Sequence, residues 1–424
     1  MRVELAYGRT WMPVELPDGI TDVVTPRFIE GLPDEQKALK EALRNPIGSA
    51  PVRELVKPGD TVAIVFCDGT RPMPSSRVLP PLLEELEAVP DIEIVLINAL
   101  GTHRPNTEKE LDDILGAEIA RKYKIVQSYI AEEDAYVKVG VASAGYDLKL
   151  RKEYVDADVR IVTGFIEPHF FAGFSGGPKL VAPGVASGDT IMNLHSAELI
   201  GDPRSNWGLS YREGNPLSQA LMEVARKCPP TFSLNVTLNR HHEITGVFAG
   251  DLEEAHQVGI EFVRNTAMQA VPEPYDIVIT TNSGYPLDQN LYQTVKGMSA
   301  AAKIVKEGGV IIAAAECSDG YPNHGNYRDI LIKSPSMCHF LEHVAEKQYN
   351  VTDRWQVQIQ AMVQVKADVY LYTDGLTDEE LRAAHIKPCR DISALVKELV
   401  EERGGNARIC VLPEGPMTIP YVEG

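Results

Sequence analysis

Several things are scarce in these 424 residues, and each scarcity excludes something. Basic residues are outnumbered, 41 against 60 acidic, leaving a net charge of −19. That balance argues against nucleic acid or an anionic membrane as a general partner. An anionic small molecule stays open, because a local basic pocket fits inside an acidic protein. No uncharged apolar stretch reaches the length of a membrane span. The opening Met1-Arg2-Val3-Glu4-Leu5 lacks the basic-then-apolar run of a secretion signal. The six cysteines, Cys67, Cys228, Cys317, Cys338, Cys389 and Cys410, are scattered and form no C-x-x-C pair. Reduced, mostly buried thiols are therefore expected rather than disulfide staples or a structural zinc site. There is no internal repeat and no low-complexity tract. The expectation is a soluble cytoplasmic protein.

What is present is an ordinary globular composition, 44% apolar and 24% charged. The length calls for two domains. Short Val/Ile-rich runs alternate with amphipathic helical patterns. Candidate strands are Thr61 to Phe66, Ile92 to Leu100, Val159 to Phe165, Asp276 to Thr281, Gly309 to Ala315, Val369 to Thr373 and Arg408 to Leu412. Near-continuous apolar runs such as Val62-Ala63-Ile64-Val65 suit strands covered on both faces. Candidate helices include Glu35 to Arg44, Leu79 to Ala88, Glu108 to Tyr123, Leu217 to Lys227, Ala255 to Gln269, Tyr292 to Lys306 and Tyr327 to Gln348. The alternation predicts an α/β fold of two domains, each a mainly parallel sheet flanked by helices, with the active site in the cleft between them. Two prolines in Ala270-Val271-Pro272-Glu273-Pro274-Tyr275 mark the boundary. Residues 1–270 form the first domain and 275–403 the second, with 404–424 expected to pack back on the first.

In open α/β sheets ligands gather beyond the carboxyl ends of the strands. Three unusual segments lie there: Cys67-Asp68-Gly69-Thr70-Arg71-Pro72, Gly101-Thr102-His103-Arg104-Pro105, and a long loop from Glu167-Pro168-His169 through Gly173-Phe174-Ser175-Gly176-Gly177-Pro178-Lys179 to His195. Taken singly each has an ordinary reading. Asp68-Gly69 is a common turn, one loop histidine is more often a surface or capping group, and Gly173-x-x-Gly176-Gly177 is not the dinucleotide fingerprint. Their coincidence at one sheet edge is the signature of an active site. Histidines titrate near neutrality and suit proton exchange. Two candidate bases without a sequence-adjacent nucleophile fit symmetric proton transfer better than hydrolysis. The residues alone reach a metal-assisted or cofactor-assisted enzyme.

These segments resemble the nickel-pincer lactate racemase family. The likeness rests on Asp68-Gly69-Thr70-Arg71-Pro72, Gly101-Thr102-His103-Arg104, Glu167-Pro168-His169, Gly173-Phe174-Ser175-Gly176-Gly177, Lys179, Pro183-Gly184 and His195. It continues through Tyr285-Pro286-Leu287-Asp288-Gln289-Asn290 with Gln293 and Lys296, in order across both domains. The resemblance implies an isomerase: a racemase or epimerase of small 2-hydroxy acids, lactate first, acting by hydride transfer through a 2-keto acid. It implies a nickel-pincer nucleotide, a pyridinium-3,5-bisthiocarboxylic acid mononucleotide holding nickel, attached covalently through Lys179 and ligated by His195. Enzymes that build this cofactor would be partners. His103 and His169 would be the catalytic acid/base pair. Arg71, Gln293 and Lys296 would hold the substrate, with Tyr292 and Trp355 walling its side chain. Asp68, Thr70, Ser175 and Gly176 would contact the cofactor's mononucleotide.

Three alternatives remain open. The same chemistry could act on malate, an aromatic lactate or a sugar acid, and a second carboxylate would need a further cation such as Arg104 or Arg354. His103, His169 and His195 could instead surround zinc in a hydrolase. Finally, the chain could carry the cofactor without catalysis.

Overall fold

The computed structural model describes residues 1–322 and 325–423. Two six-stranded sheets organise them. The first runs in the order Ile244–Gly250, Phe232–Leu238, Val159–Phe165, Thr61–Cys67, Glu93–Ala99, Lys124–Gln127. Its outermost pair, Phe232–Leu238 with Ile244–Gly250, is antiparallel, and the other neighbours are parallel. The second runs Lys387–Cys389, Asp368–Tyr372, Val305–Ala314, Tyr275–Thr281, Ile409–Leu412, Thr21–Val23, with parallel neighbours throughout. Helices cover both sheets, which is why central strands such as Thr61–Cys67 are buried along almost their whole length.

In the first sheet the chain winds from Thr61–Cys67 outward to one side and from Val159–Phe165 outward to the other. The two adjacent strands therefore flank a topological switch point, where the diverging connections leave a crevice at the carboxyl edge. All three loops singled out in the sequence leave from that edge.

The structure moves several boundaries. The helix expected at Leu79 starts a turn earlier, at Ser75, and keeps Pro80 and Pro81 inside it. Glu108 to Tyr123 is two helices broken at Gly116, whose φ of +83° no helix accepts. Tyr327 to Gln348 is likewise divided, into Tyr327–Lys333 and Met337–His343, because Pro335 cannot continue a helix and Ser336 caps the next one. Hairpins at 2–15 and 136–151 and the helix Arg354–Lys366 were not expected at all.

Sheet membership also differs from the simple division by sequence. Thr21–Val23, near the start of the chain, is the edge strand of the second sheet, paired with Ile409–Val411. The preceding hairpin buries Val3, Leu5 and Val14 against Ile277, Ile279 and Ile312 of the same sheet. Residues 404–424 do not act as one piece: Ile409–Leu412 lies inside the second sheet, while Ile419–Val422 pairs with Met268–Val271 beside the expected boundary. Among the described residues no helix is long and apolar enough to cross a membrane.

Candidate active site

The three strand-end loops and the N-terminal halves of the helices Leu291–Ala302 and Arg354–Lys366 line an open cleft with a cavity of about 120 Å³. An outer cleft opens beside it, sharing Asp68, Arg71, His103, Tyr292 and Gln293. Twelve of the thirteen site residues expected from sequence line the inner cleft, and Thr70 lines the outer one.

The turn after Cys67 builds one wall. His103 brings its Nδ1 to 2.7 Å from Asp68 Oδ2. A carboxylate accepts, so Nδ1 carries a proton, and in the neutral ring the lone pair is on Nε2. Thr70 Oγ1 donates to the other Asp68 oxygen at 2.8 Å, and Arg71 donates to Thr70 Oγ1 at 3.0 Å. Burial works to raise the Asp68 carboxyl, yet His103 and Arg71 beside it, with the Thr70 bond, leave it below its ordinary value. Asp68 is therefore an anion that fixes the His103 tautomer.

His169 is wired the opposite way. Its Nδ1 accepts the Ala172 N–H at 3.2 Å, so in the neutral ring Nε2 carries the proton. Burial first, and then Lys179, Lys296 and Arg71 nearby, hold it well below the ordinary histidine range. Phe170 and Phe171 pack against the ring, with centroids at 4.8 and 4.6 Å.

Between the histidines lies the lysine loop. Gly176 and Gly177 adopt φ of +72° and +49°, and Lys179 follows on a short 3₁₀ turn, Gly177–Leu180. Two residues absent from the sequence reading pin this loop from below. Asn235 Oδ1 accepts the Gly177 N–H at 3.0 Å, and His256 Nε2–H donates to the Ser175 carbonyl at 2.8 Å. A Cβ on Gly177 would stand 2.6 Å from the His256 ring, so glycine is required there for approach as well as backbone conformation. Ser175 is spent on the same loop, its hydroxyl donating to the Phe165 carbonyl at 2.6 Å and accepting the Glu167 N–H at 2.9 Å. Burial and the neighbouring Arg71 and Lys296 bring the Lys179 amine down to about 7. Lys296 falls to about 7 as well, through burial and Arg71.

His195 ends the helix Gly188–Leu194, and its Nδ1–H donates to the Ile191 carbonyl at 2.9 Å. Burial brings its pKa down to about 3, so the ring is neutral with Nε2 free to ligate. A ring nitrogen held by a backbone carbonyl is how proteins orient a metal-binding imidazole. The unexpected helix Arg354–Lys366 supports it. Arg354 donates to the His195 carbonyl at 2.7 Å, and the Trp355 ring lies 4.6 Å from the imidazole. Trp355 Nε1–H also donates to Tyr292 Oη at 3.0 Å, and Gln356 donates to the Tyr292 carbonyl.

The residues fit a nickel-pincer nucleotide on three counts. Lys179 holds an amine that is largely deprotonated just above neutrality, as an acylated lysine requires. His195 offers an imidazole donor of the class nickel accepts. Gly176 and Gly177 keep the space above the loop clear of side chains. His103, His169 and His195 do not converge as a three-ligand set: among the described residues, the one group of three candidate ligand side chains close enough together lies elsewhere. That arrangement does not favour a zinc hydrolase.

The chain is similar to known proteins over nearly its whole length. The lactate racemase N-terminal domain model matches residues 7–208, and the lactate racemase C-terminal domain model matches residues 270–419. A lactate racemase of Lactiplantibacillus plantarum is 37% identical over 386 residues, 90% of each chain. One from Thermoanaerobacterium thermosaccharolyticum is 34% identical over 424 residues, 98% of each chain. The solved lactate racemase apoprotein from Thermoanaerobacterium thermosaccharolyticum superposes with a TM-score of 0.92 at 33% identity, covering 99% of this chain and all of that one. A Thermotoga maritima crystal structure shares the fold, with a TM-score of 0.71 at 20% identity over 93% of this chain and all of its own. With both halves of the chain matched, and relatives named for an isomerase spanning nearly its whole length, the chain belongs to the lactate racemase family.

Proposed function

We propose that this protein racemises a small 2-hydroxy acid, with lactate as the first substrate to test, on a nickel-pincer nucleotide held by Lys179 and ligated through His195 Nε2. When bound, that group supplies a reversible hydride acceptor, so the substrate passes through a planar 2-keto acid that can be reduced on either face. The carrying observation is the pair of histidines in one cleft with opposite proton inventories. His103 Nε2, with Asp68 behind it, is set to take the hydroxyl proton of one enantiomer and return it to the keto oxygen, while His169 Nε2–H donates a hydrogen bond to that oxygen. For the other enantiomer the roles exchange, which requires the His169 proton to move from Nε2 to Nδ1 with loss of the Ala172 contact.

Arg71 and Lys296 supply positive charge for the carboxylate, Arg71 through a guanidinium suited to two parallel bonds. Gln293 Oε1 is buried without a protein partner and suits a donor from the substrate. Trp355, Tyr292 and Phe171 exclude water from the inner cleft. Asp68, Thr70 and Gly176 suit the hydroxyls and backbone of the mononucleotide, and Ser175 serves it by shaping the loop. The break at residues 270–275 is read as the passage about which the second unit closes.

Lactate is favoured over malate because both candidate cations for a second carboxylate are engaged. Arg104 is paired with Glu110 at 2.6 Å, and Arg354 is held by the His195 carbonyl and Asn350. All six cysteines are free thiols and five are buried, which suits the reducing cytoplasm.

The test is coexpression with the family's cofactor-building enzymes, followed by a peptide map around Lys179 and a panel of 2-hydroxy acids followed for loss of optical activity. An adduct on Lys179, one nickel per chain and racemised lactate are expected. Turnover with an unmodified Lys179 would overturn the reading, and inert lactate beside racemised malate would replace the substrate.

A further inference from the structure

The helix Met337–His343 presents two different faces. Met337 and Phe340 are buried against neighbouring helices, including Arg354–Lys366, while His339, Glu342 and His343 face outward. The outward three sit at positions i, i+3 and i+4, which one helical turn stacks together. The imidazole centroids of His339 and His343 are 4.2 Å apart, tilted by 32°. One ligand atom from each of the three side chains lies within 4.8 Å of the others. Tetrahedral bonds of about 2.0–2.1 Å set donor atoms about 3.3 Å apart, so closing the set takes rotamer adjustments only.

We infer that His339, Glu342 and His343 form a surface site for a borderline divalent cation of the zinc, cobalt and nickel class, separate from the catalytic cleft. Two imidazoles and a carboxylate are a common donor set for such ions, and three protein ligands leave a position for water. The second shell is in place: His343 Nδ1–H donates to the His339 carbonyl at 2.8 Å, which directs Nε2 outward with its lone pair. Among the described residues no ion pair claims Glu342. Glu346 Oε1 stands 3.9 Å from His343 Nε2 and is within reach as a fourth donor.

The competing use of these groups is the pairing of His343 with Glu346. Metal and proton cannot share the same lone pair, so a metal titration separates them. An occupied site would clamp the last turn of a helix whose inner face packs on Arg354–Lys366, the helix that supports His195. Its stabilisation would follow mass action, growing with free metal.

The experiment uses the full chain with Cys338→Ser, which removes the exposed thiol beside His339, stripped with EDTA. Zinc uptake is measured by competition with a chromophoric chelator, and cobalt is followed by its visible spectrum. The same titration is run after adding His339→Ala and His343→Ala together. The difference between the two proteins cancels any metal taken by the cleft. One equivalent fewer is expected in the double alanine variant, with loss of the tetrahedral cobalt bands and of the zinc-dependent rise in melting temperature. Glu342→Gln is expected to weaken the site by at least ~10-fold while leaving both imidazoles. Equal uptake by the two proteins, or no uptake by the first, overturns the inference. Melting curves in EDTA confirm that the variants remain folded.

Discussion

The two sides of the cleft place the same side chain in opposite circumstances. His103 stands half-exposed at the mouth of the outer cleft with an anionic carboxylate on its Nδ1. His169 is buried among phenylalanines and cations, with a backbone N–H on its Nδ1. Evolution of a symmetric reaction does not require a symmetric site. On the proposed reading both rings act through Nε2, and two different partners on Nδ1 orient them.

The largest effect expected on this comparison comes from removing the group between the two rings. Lys179→Ala should abolish racemisation and cofactor retention together, read as absent nickel and an unshifted intact mass. Next, His103→Ala and His169→Ala should each cost ~10²–10⁴-fold in turnover while the adduct on Lys179 survives; normal turnover in either would remove that ring from the acid/base pair. Asp68→Asn tests the asymmetry itself. It should slow turnover by ~10²-fold or more through loss of the His103 tautomer, and should change the pH profile more for one enantiomer as substrate than for the other. An equal effect in both directions would make Asp68 a general structural group.

A smaller effect concerns charge. In cofactor-free protein, acylation of Lys179 should rise with pH through about 7 and then level off, whereas exposed lysines keep gaining reactivity towards their usual pKa of ~10.4. Peptide mapping across pH reads the difference. The same depression has a stability consequence for Lys179 and Lys296: the folded state binds fewer protons than the unfolded chain between about 7 and the ordinary lysine value. The penalty is complete below that window and disappears as pH rises through it. Lys296→Met should therefore raise the melting temperature of the cofactor-free protein near neutral pH while weakening substrate binding, seen as a higher KM. Smallest is Gln356→Ala, which should cost ~0.5–1.5 kcal/mol in chemical denaturation by removing its bond to the Tyr292 carbonyl.

The same contrast runs through what the sequence made legible. The first sheet announces itself in Val62-Ala63-Ile64-Val65, and Asp68, Arg71, His103 and His169 follow closely on its strand ends. The supporting wall does not announce itself. Arg354–Lys366 reads Trp-Gln-Val-Gln-Ile-Gln, an alternation with the period of a strand, yet it is a helix buried on nearly every side. Its glutamines are tolerated inside because they reach backbone carbonyls: Gln356 that of Tyr292, Gln358 that of Ala197, Gln360 that of Ala384. Such partners exist only after the fold has formed, so no local pattern encodes them. His256 and Asn235 escaped for the same reason, since each touches the lysine loop from more than fifty residues away. The early strand Thr21–Val23 lacks any local mark of the sheet it joins.

That strand pairs with Ile409–Val411, almost the full length of the chain later. On the ribosome the first sheet can assemble as soon as residue 250 emerges, with every one of its strands already made. The second sheet waits for the last twenty or so residues before its interior strand Ile409–Leu412 exists, and until then Thr21–Val23 has no strand to pair with. Premature termination near residue 400 should therefore leave a folded half with its lysine loop built and an unsheltered second half, a natural target for proteolysis.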